Sequence, residues 1–178
     1  MIRQTLDDFR LDLSLQVNSH AETSGDLTEN SFFEVFTNYL VDAGEIDTAD
    51  RCFFQKKGMR IDGYGGDPID SDGILNVIAC KYSNSSDLEN VNRSDIEVVC
   101  KRAQKFISSC QSRAFIDELD ESSSEYGFAD MVCQRWDVIQ KVRVIFVTNY
   151  SLNLRKAEFE PAPINGINVE FTCWDINR

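Results

Sequence analysis

A single histidine, His20, is the whole imidazole complement of this chain of 178 residues. Ser-His-Asp and Cys-His catalysis both use an imidazole base, so they are excluded as candidates. His20 itself falls in the polar stretch VNSHAETSGD and is expected in a solvated loop. No C-x-x-C pair joins the six cysteines, Cys52, Cys80, Cys100, Cys110, Cys133 and Cys173; with one histidine this excludes an ordinary zinc site. Cys80, Cys100, Cys133 and Cys173 lie inside apolar periodic segments, where reduced cysteine behaves as a small core residue. Free thiols in a reducing cytoplasm are therefore expected. No run approaches the roughly 20 apolar residues that span a bilayer, and the acids of MIRQTLDDFRLDLSLQ break any signal-peptide core. A soluble, cytoplasmic protein is the expectation. Basic residues are also scarce: 18 Lys and Arg face 30 Asp and Glu, a formal net charge of -12. Unaided binding along a polyanion is disfavoured unless the basic residues gather on one face. Finally, no G-x-x-x-x-G-K loop is present, and GYGG lies in a hairpin and not before a helix, which leaves little support for a small-molecule phosphate enzyme of that kind.

What is present suits one core. With 42% hydrophobic and 27% charged residues, the length fits a single domain. Leu6, Phe9, Leu13 and Val17 have amphipathic helical spacing, followed by a polar loop to about Glu29. Residues 1–30 thus read as an N-terminal helix and loop, and 31–178 as the main domain. In SFFEVFTNYLVDAGEI a helical stripe runs from Phe32 through Leu40 to Ala43, with Gly44 as its stop, and this helix carries Glu34. RCFFQKKG, MRIDGYG and GILNVIACKYS then form a three-strand meander. A long helix is expected over SDLENVNRSDIEVVCKRAQKFISSCQSRAF, a second over EYGFADMVCQRWDVIQ, then a buried strand KVRVIFVTN and a last strand INVEFTCWDI. The order is α-β-β-β-α-α-β-β, an α/β domain with a mixed central sheet flanked by helices. The abrupt end at WDINR suggests the N-terminal part of a longer protein.

The hairpin RIDGYGGDPIDSDGILNVIACKY holds the chemistry. Strand alternation puts Ala79 and Lys81 on one face and Asn76 and Cys80 on the other. If the reversal is centred on Asp70 to Asp72, Asp62 stands opposite Ala79 or Lys81. Glu34, on a helix that must cover the sheet, can point to the same place. Two carboxylates and an ammonium group there suit Mg2+-assisted phosphodiester hydrolysis, with Glu34 and Asp62 holding the ion and Lys81 assisting the water and the phosphate. The plainer reading is a cross-strand Asp62–Lys81 ion pair with Glu34 solvated.

These residues carry a resemblance. The helix with Glu34, the RIDGY strand with Asp62 and the strand ending VIACKY resemble the core of the PD-(D/E)xK, or restriction-endonuclease-like, superfamily. More narrowly, LVDAGEI, the hairpin, the helix pair broken by DELDESSSEYGFA, VRVIFVTN and VEFTCWDI are similar to the amino-terminal domain of AIPR proteins, which act in abortive infection and phage resistance in bacteria. The likeness runs from about Ser31 to Ile176. It implies a nuclease-like domain with Glu34, Asp62 and Lys81 as catalytic residues, Mg2+ at Asp62 and Glu34, and a carboxyl-terminal remainder as partner.

One position departs from that pattern. The residue two before the lysine, usually Glu, Asp or Gln, is Ala79, which has no oxygen to offer a metal. Asn76 and Cys80 face the other way, and Asp67, Asp70 and Asp72 lie in the turn. Mg2+ at such a site would be weakly held. The alternative is a non-catalytic interaction or dimerisation module on the same fold, for which Phe115, Trp136 and Trp174 are the aromatics to inspect. For nucleic acid, Lys101, Arg102, Lys105 and Arg113 are the candidate basic patch.

Overall fold

A computed structural model describes residues 5–25, 27–85, 87–152 and 160–176. The first helix, α1 (Leu6–Ser24), starts at a capping box in which Thr5 and Asp8 satisfy each other's backbone N–H, and it stops at Gly25 with φ 69°. It runs through the stretch expected to be a loop. Nothing between Leu6 and Gly25 breaks a helix, and Thr23 and Ser24 hydroxyls bond back to the carbonyls of Ser19 and His20, so the polar composition is a solvated helical face. His20 is correspondingly a helical residue and not a loop residue.

The second helix, α2 (Thr28–Asp42), buries Phe32, Phe33, Phe36 and Leu40. These side chains meet Leu13 and Val17 of α1 in one cluster that also holds Ile78, Ile145 and Val147. The meander follows as β1 (Asp50–Lys56), β2 (Met59–Tyr64) and β3 (Ile74–Lys81). After a two-residue strand, β4 (Asn90–Val91), the chain crosses through α3 (Arg93–Ser109), α4 (Arg113–Asp117) and α5 (Ser124–Arg135). It returns as β5 (Lys141–Thr148), then the short β6 (Ser151–Leu152) and β7 (Asn168–Trp174). The five-stranded sheet is ordered β1-β2-β3-β5-β7, with β1, β2 and β3 antiparallel and β3, β5 and β7 parallel. The expected mixed sheet is present.

Two helical layers sandwich it. Leu75, Val77, Val142 and Val144 meet α3, α4 and α5 in the larger cluster, which includes Phe106, Ile116 and Phe128. The alternate residues Ile78 and Ile145 face α1 and α2, as period-2 geometry requires. The long helix expected through Phe115 breaks instead at Cys110, and Ser112 caps α4 by accepting from the Phe115 N–H. β4 and β6 pair with each other in a separate parallel ladder; two-residue strands carry no periodicity to read. All six cysteines are free, with Cys52, Cys100 and Cys110 buried. Burial raises the Cys52 thiol to about 11 and that of Cys100 to about 12, which leaves both as unreactive thiols at neutral pH. No described helix is long and apolar enough to cross a membrane.

Both α2 and β1 approach β2 closely at Gly63. A Cβ there would overlap the Phe33 ring and the Asp50 carbonyl oxygen, whereas one at Gly127 in α5 would meet nothing within 4 Å. Gly63→Ala is expected to destabilise the protein by about 1–3 kcal/mol through overpacking, and Gly127→Ala to stabilise it by about 0.5–1 kcal/mol. Urea unfolding midpoints of the two variants check this; equal midpoints would refute the close packing of α2 on the sheet.

Candidate functional site

At its carboxyl end β3 keeps one neighbour and loses the other. It stays paired with β5 through Lys81, opposite Thr148, but its pairing with β2 covers only Gly63–Ile78 and Tyr64–Val77. One rung further on, the Cys80 N–H donates at 2.9 Å to Oδ2 of Asp62. A side-chain carboxylate has replaced the strand, and the sheet forks. A register shift between Arg51 and Phe54 accompanies it in β1, so that Cys52 and Phe53 both stand opposite Asp62, the signature of a β-bulge.

Asp62 is 1% exposed. Such a carboxylate needs compensation, and two arginines provide it. Nη1 of Arg51 lies 3.3 Å from Oδ1 and also donates to the Asp62 carbonyl. Arg60 donates through Nη2 to Oδ1 at 3.3 Å and through Nε to Oδ2 at 3.4 Å. With the Cys80 N–H, each carboxylate oxygen accepts two bonds, which matches its acceptor capacity. Arg51 is itself fixed by the Asn30 side chain of α2 and packs over the rings of Phe33 and Phe53.

The fork opens into a cavity of about 370 Å³. Asp62, Ala79 and Lys81 all line it, together with Arg51, Arg60 and Arg102. The expected Asp62–Lys81 ion pair does not form. Lys81 has no carboxylate within ion-pair distance among the described residues; its Nζ sits 4.9 Å from the centroid of the Tyr150 ring. The Ser83 and Tyr150 hydroxyls hold Glu89 and lower its pKa, with Lys81 adding to the same direction at longer range.

Glu34 is elsewhere. Its Oε2 is 2.9 Å from Nε2 of His20, whose Nδ1 is 3.1 Å from the Ser31 hydroxyl. This Ser-His-Glu string resembles a nucleophile relay only on paper, because Ser31 is 0% exposed; it ties α1 to α2. The α2 acid that lines the cavity is Glu29. It lies one helical turn before Phe32, another lining residue, and that i,i+3 relation to the apolar stripe was the available signal. Arg51 and Arg60 were missed as well. Arg60 shares a strand face with Asp62 by i,i+2 spacing, which sequence can show; the bulge that brings Arg51 across cannot be read.

The Mg2+ implied by the resemblance does not fit these residues. Asp62 has its oxygens engaged, Ala79 supplies none, and Asp67, Asp70 and Asp72 lie at the start of β3, roughly 20 Å from Lys81 at about 3.3 Å per residue. Among the described residues no group of three His, Cys, Asp or Glu side chains could hold a metal. Two of the four members of the candidate basic patch are engaged. Arg113 is paired with Asp117 and Asp130, and Lys105 donates to the Lys57 carbonyl. Arg102 is the member that lines the cavity.

The model for the abortive infection phage resistance protein N-terminal domain matches residues 32–178. The chain belongs to this family. Neither a curated protein nor a solved structure matches it. The match covers the sheet, the fork and every cavity-lining residue except Glu29, so the cavity lies within the phage resistance domain itself.

Breaking the buried cluster should cost more than breaking the surface one. Asp62→Ala is expected to lower stability by about 2–3 kcal/mol, because it strands the Cys80 N–H and two partly buried guanidinium groups. Glu34→Ala should cost under about 1 kcal/mol. Chemical denaturation of both variants measures the order; a larger loss for Glu34→Ala would overturn this assignment of roles.

Proposed function

We infer that this phage resistance domain is a nuclease-like module, on a restriction-endonuclease-like plan, that binds phosphate esters at the fork and does not hydrolyse them with a metal at Asp62. The carrying observation is the saturation of Asp62 by Arg51, Arg60 and the Cys80 N–H. Lys81 lines the same cavity with no carboxylate within ion-pair distance among the described residues, its charge reaching Glu89 at longer range, and Arg102 lines the cavity as well. Guanidinium and ammonium groups bind phosphate oxygens well. They cannot bring the pKa of a bound water near neutrality as a metal ion does. Binding is therefore retained without the hydrolytic step.

The test uses a short single-stranded oligonucleotide. In EDTA, Lys81→Ala should weaken its binding about 10-fold, the loss of one charge-assisted contact. Added Mg2+ or Mn2+ should produce no cleavage. Metal-dependent cutting that disappears in Asp62→Ala would overturn the reading and restore the endonuclease.

A second reading, an interaction module, draws on α1. Phe115, Trp136 and Trp174 pack against the core clusters, so they form no exposed patch. Leu11 and Leu15, one turn apart, are 60% and 58% exposed. Self-association through α1 would appear as a concentration-dependent dimer in sedimentation velocity, removed by Leu15→Glu; a monomer at all concentrations would dismiss it.

A further inference from the structure

We propose that the cavity at the fork accepts a single nucleotide unit, phosphate and base together, and not an extended nucleic-acid strand. The proposal deepens the phosphate-ester reading above and rests on it. The volume, about 370 Å³, falls at the lower end of the roughly 300–1,000 Å³ typical of small-ligand pockets. Its lining combines two chemistries. One is cationic: Lys81 and Arg102 face it with no carboxylate in ion-pair contact among the described residues. Three acids also line it: Asp62 is held by two arginines, Asp95 accepts the Asn92 N–H in the capping box of α3, and Glu29 lies in the first turn of α2; the four cations Arg51, Arg60, Lys81 and Arg102 outnumber them.

The other is apolar. Val98 and Val99 of α3 line the cavity, as does Tyr82, whose ring is backed by the buried Phe32 at 4.8 Å and 23°. Val98 is 44% exposed, an apolar side chain left at the mouth of the cavity. A planar base fits such a wall, since stacking and apolar contact accept any base. Ala79 contributes to this room. It lines the cavity with a single methyl group, leaving room that a longer side chain would fill.

Beyond the cavity several cations among the described residues are engaged in ion pairs. Arg93 pairs with Glu97, Lys57 with Glu118 and Arg113 with Asp117 and Asp130. A polymer would thus find these positions already neutralised, on a chain whose net charge is -12. Polymer affinity grows with each phosphate neutralised. Here that increment is missing, and one nucleotide captures most of the binding.

The experiment compares four probes by titration calorimetry on the whole chain: inorganic phosphate, adenosine 5′-monophosphate, uridine 5′-monophosphate and a long single strand. The expected result is that either nucleoside monophosphate binds within about 3-fold of the strand and at least about 10-fold tighter than phosphate, with a salt slope near or below about 1 for every probe. Val98→Glu, at an exposed position, should weaken both monophosphates about 10-fold more than phosphate; Arg102→Ala should weaken all probes. Strand binding that rises steeply with length and carries a salt slope of several would overturn the single-nucleotide proposal and leave the phosphate-ester reading standing. Equal affinity for phosphate and the monophosphates would also overturn it. No binding of any probe would remove both.

Discussion

The carboxylate of Asp62, set into the sheet where β2 and β3 part, is the constraint on which the rest of the site depends. A carboxylate that is 1% exposed carries a large desolvation cost and must be surrounded by donors. Those donors fix the neighbourhood. The Cys80 N–H ends the β2–β3 ladder and opens the fork; Arg60 comes from the same strand; Arg51 comes from the edge strand through the bulge. Because Arg51 also bonds Asn30 and covers the Phe33 ring, the same carboxylate sets how α2 lies on the sheet. Fold and site share one polar cluster.

The elements were legible because their signals are periodic. Leu75, Val77 and Ala79 alternate with Asn76, Ile78 and Cys80, and the two sets do face different helical layers. Phe32, Phe36 and Leu40 declare α2 in the same way. The site was legible only where it follows such a period: the meander brings Asp62 and Lys81 to one cavity. Glu34 was misplaced because a helix offers several faces, and periodicity says which is apolar, not which acid stands beside the sheet edge. Its partner His20 lies in a stretch whose composition suggested a loop; helix continuity there depends on a capping box and on tertiary contacts with Ser31 and Glu34. Arg51 was invisible for a further reason. A bulge shifts register by one residue, and no local pattern in DRCFFQK announces it.

Ala79 and the two arginines are best understood together. With a carboxylate at position 79, Asp62 would have an anionic neighbour in the fork, and a divalent cation would be the natural counter-charge. With alanine there, one carboxylate remains, and two guanidinium groups more than balance it. Here the neutralisation of Asp62 falls to Arg51 and Arg60, and in the proposed reading they and Lys81 present positive charge to a phosphate. The chemical role, to generate a hydroxide at neutral pH, does not pass to an arginine, which holds its protons and offers no open coordination position. Under the phosphate-ester proposal, this balance of charge is what lets the fork hold an ester without cutting it, and the methyl group of Ala79 leaves the room in which to hold it.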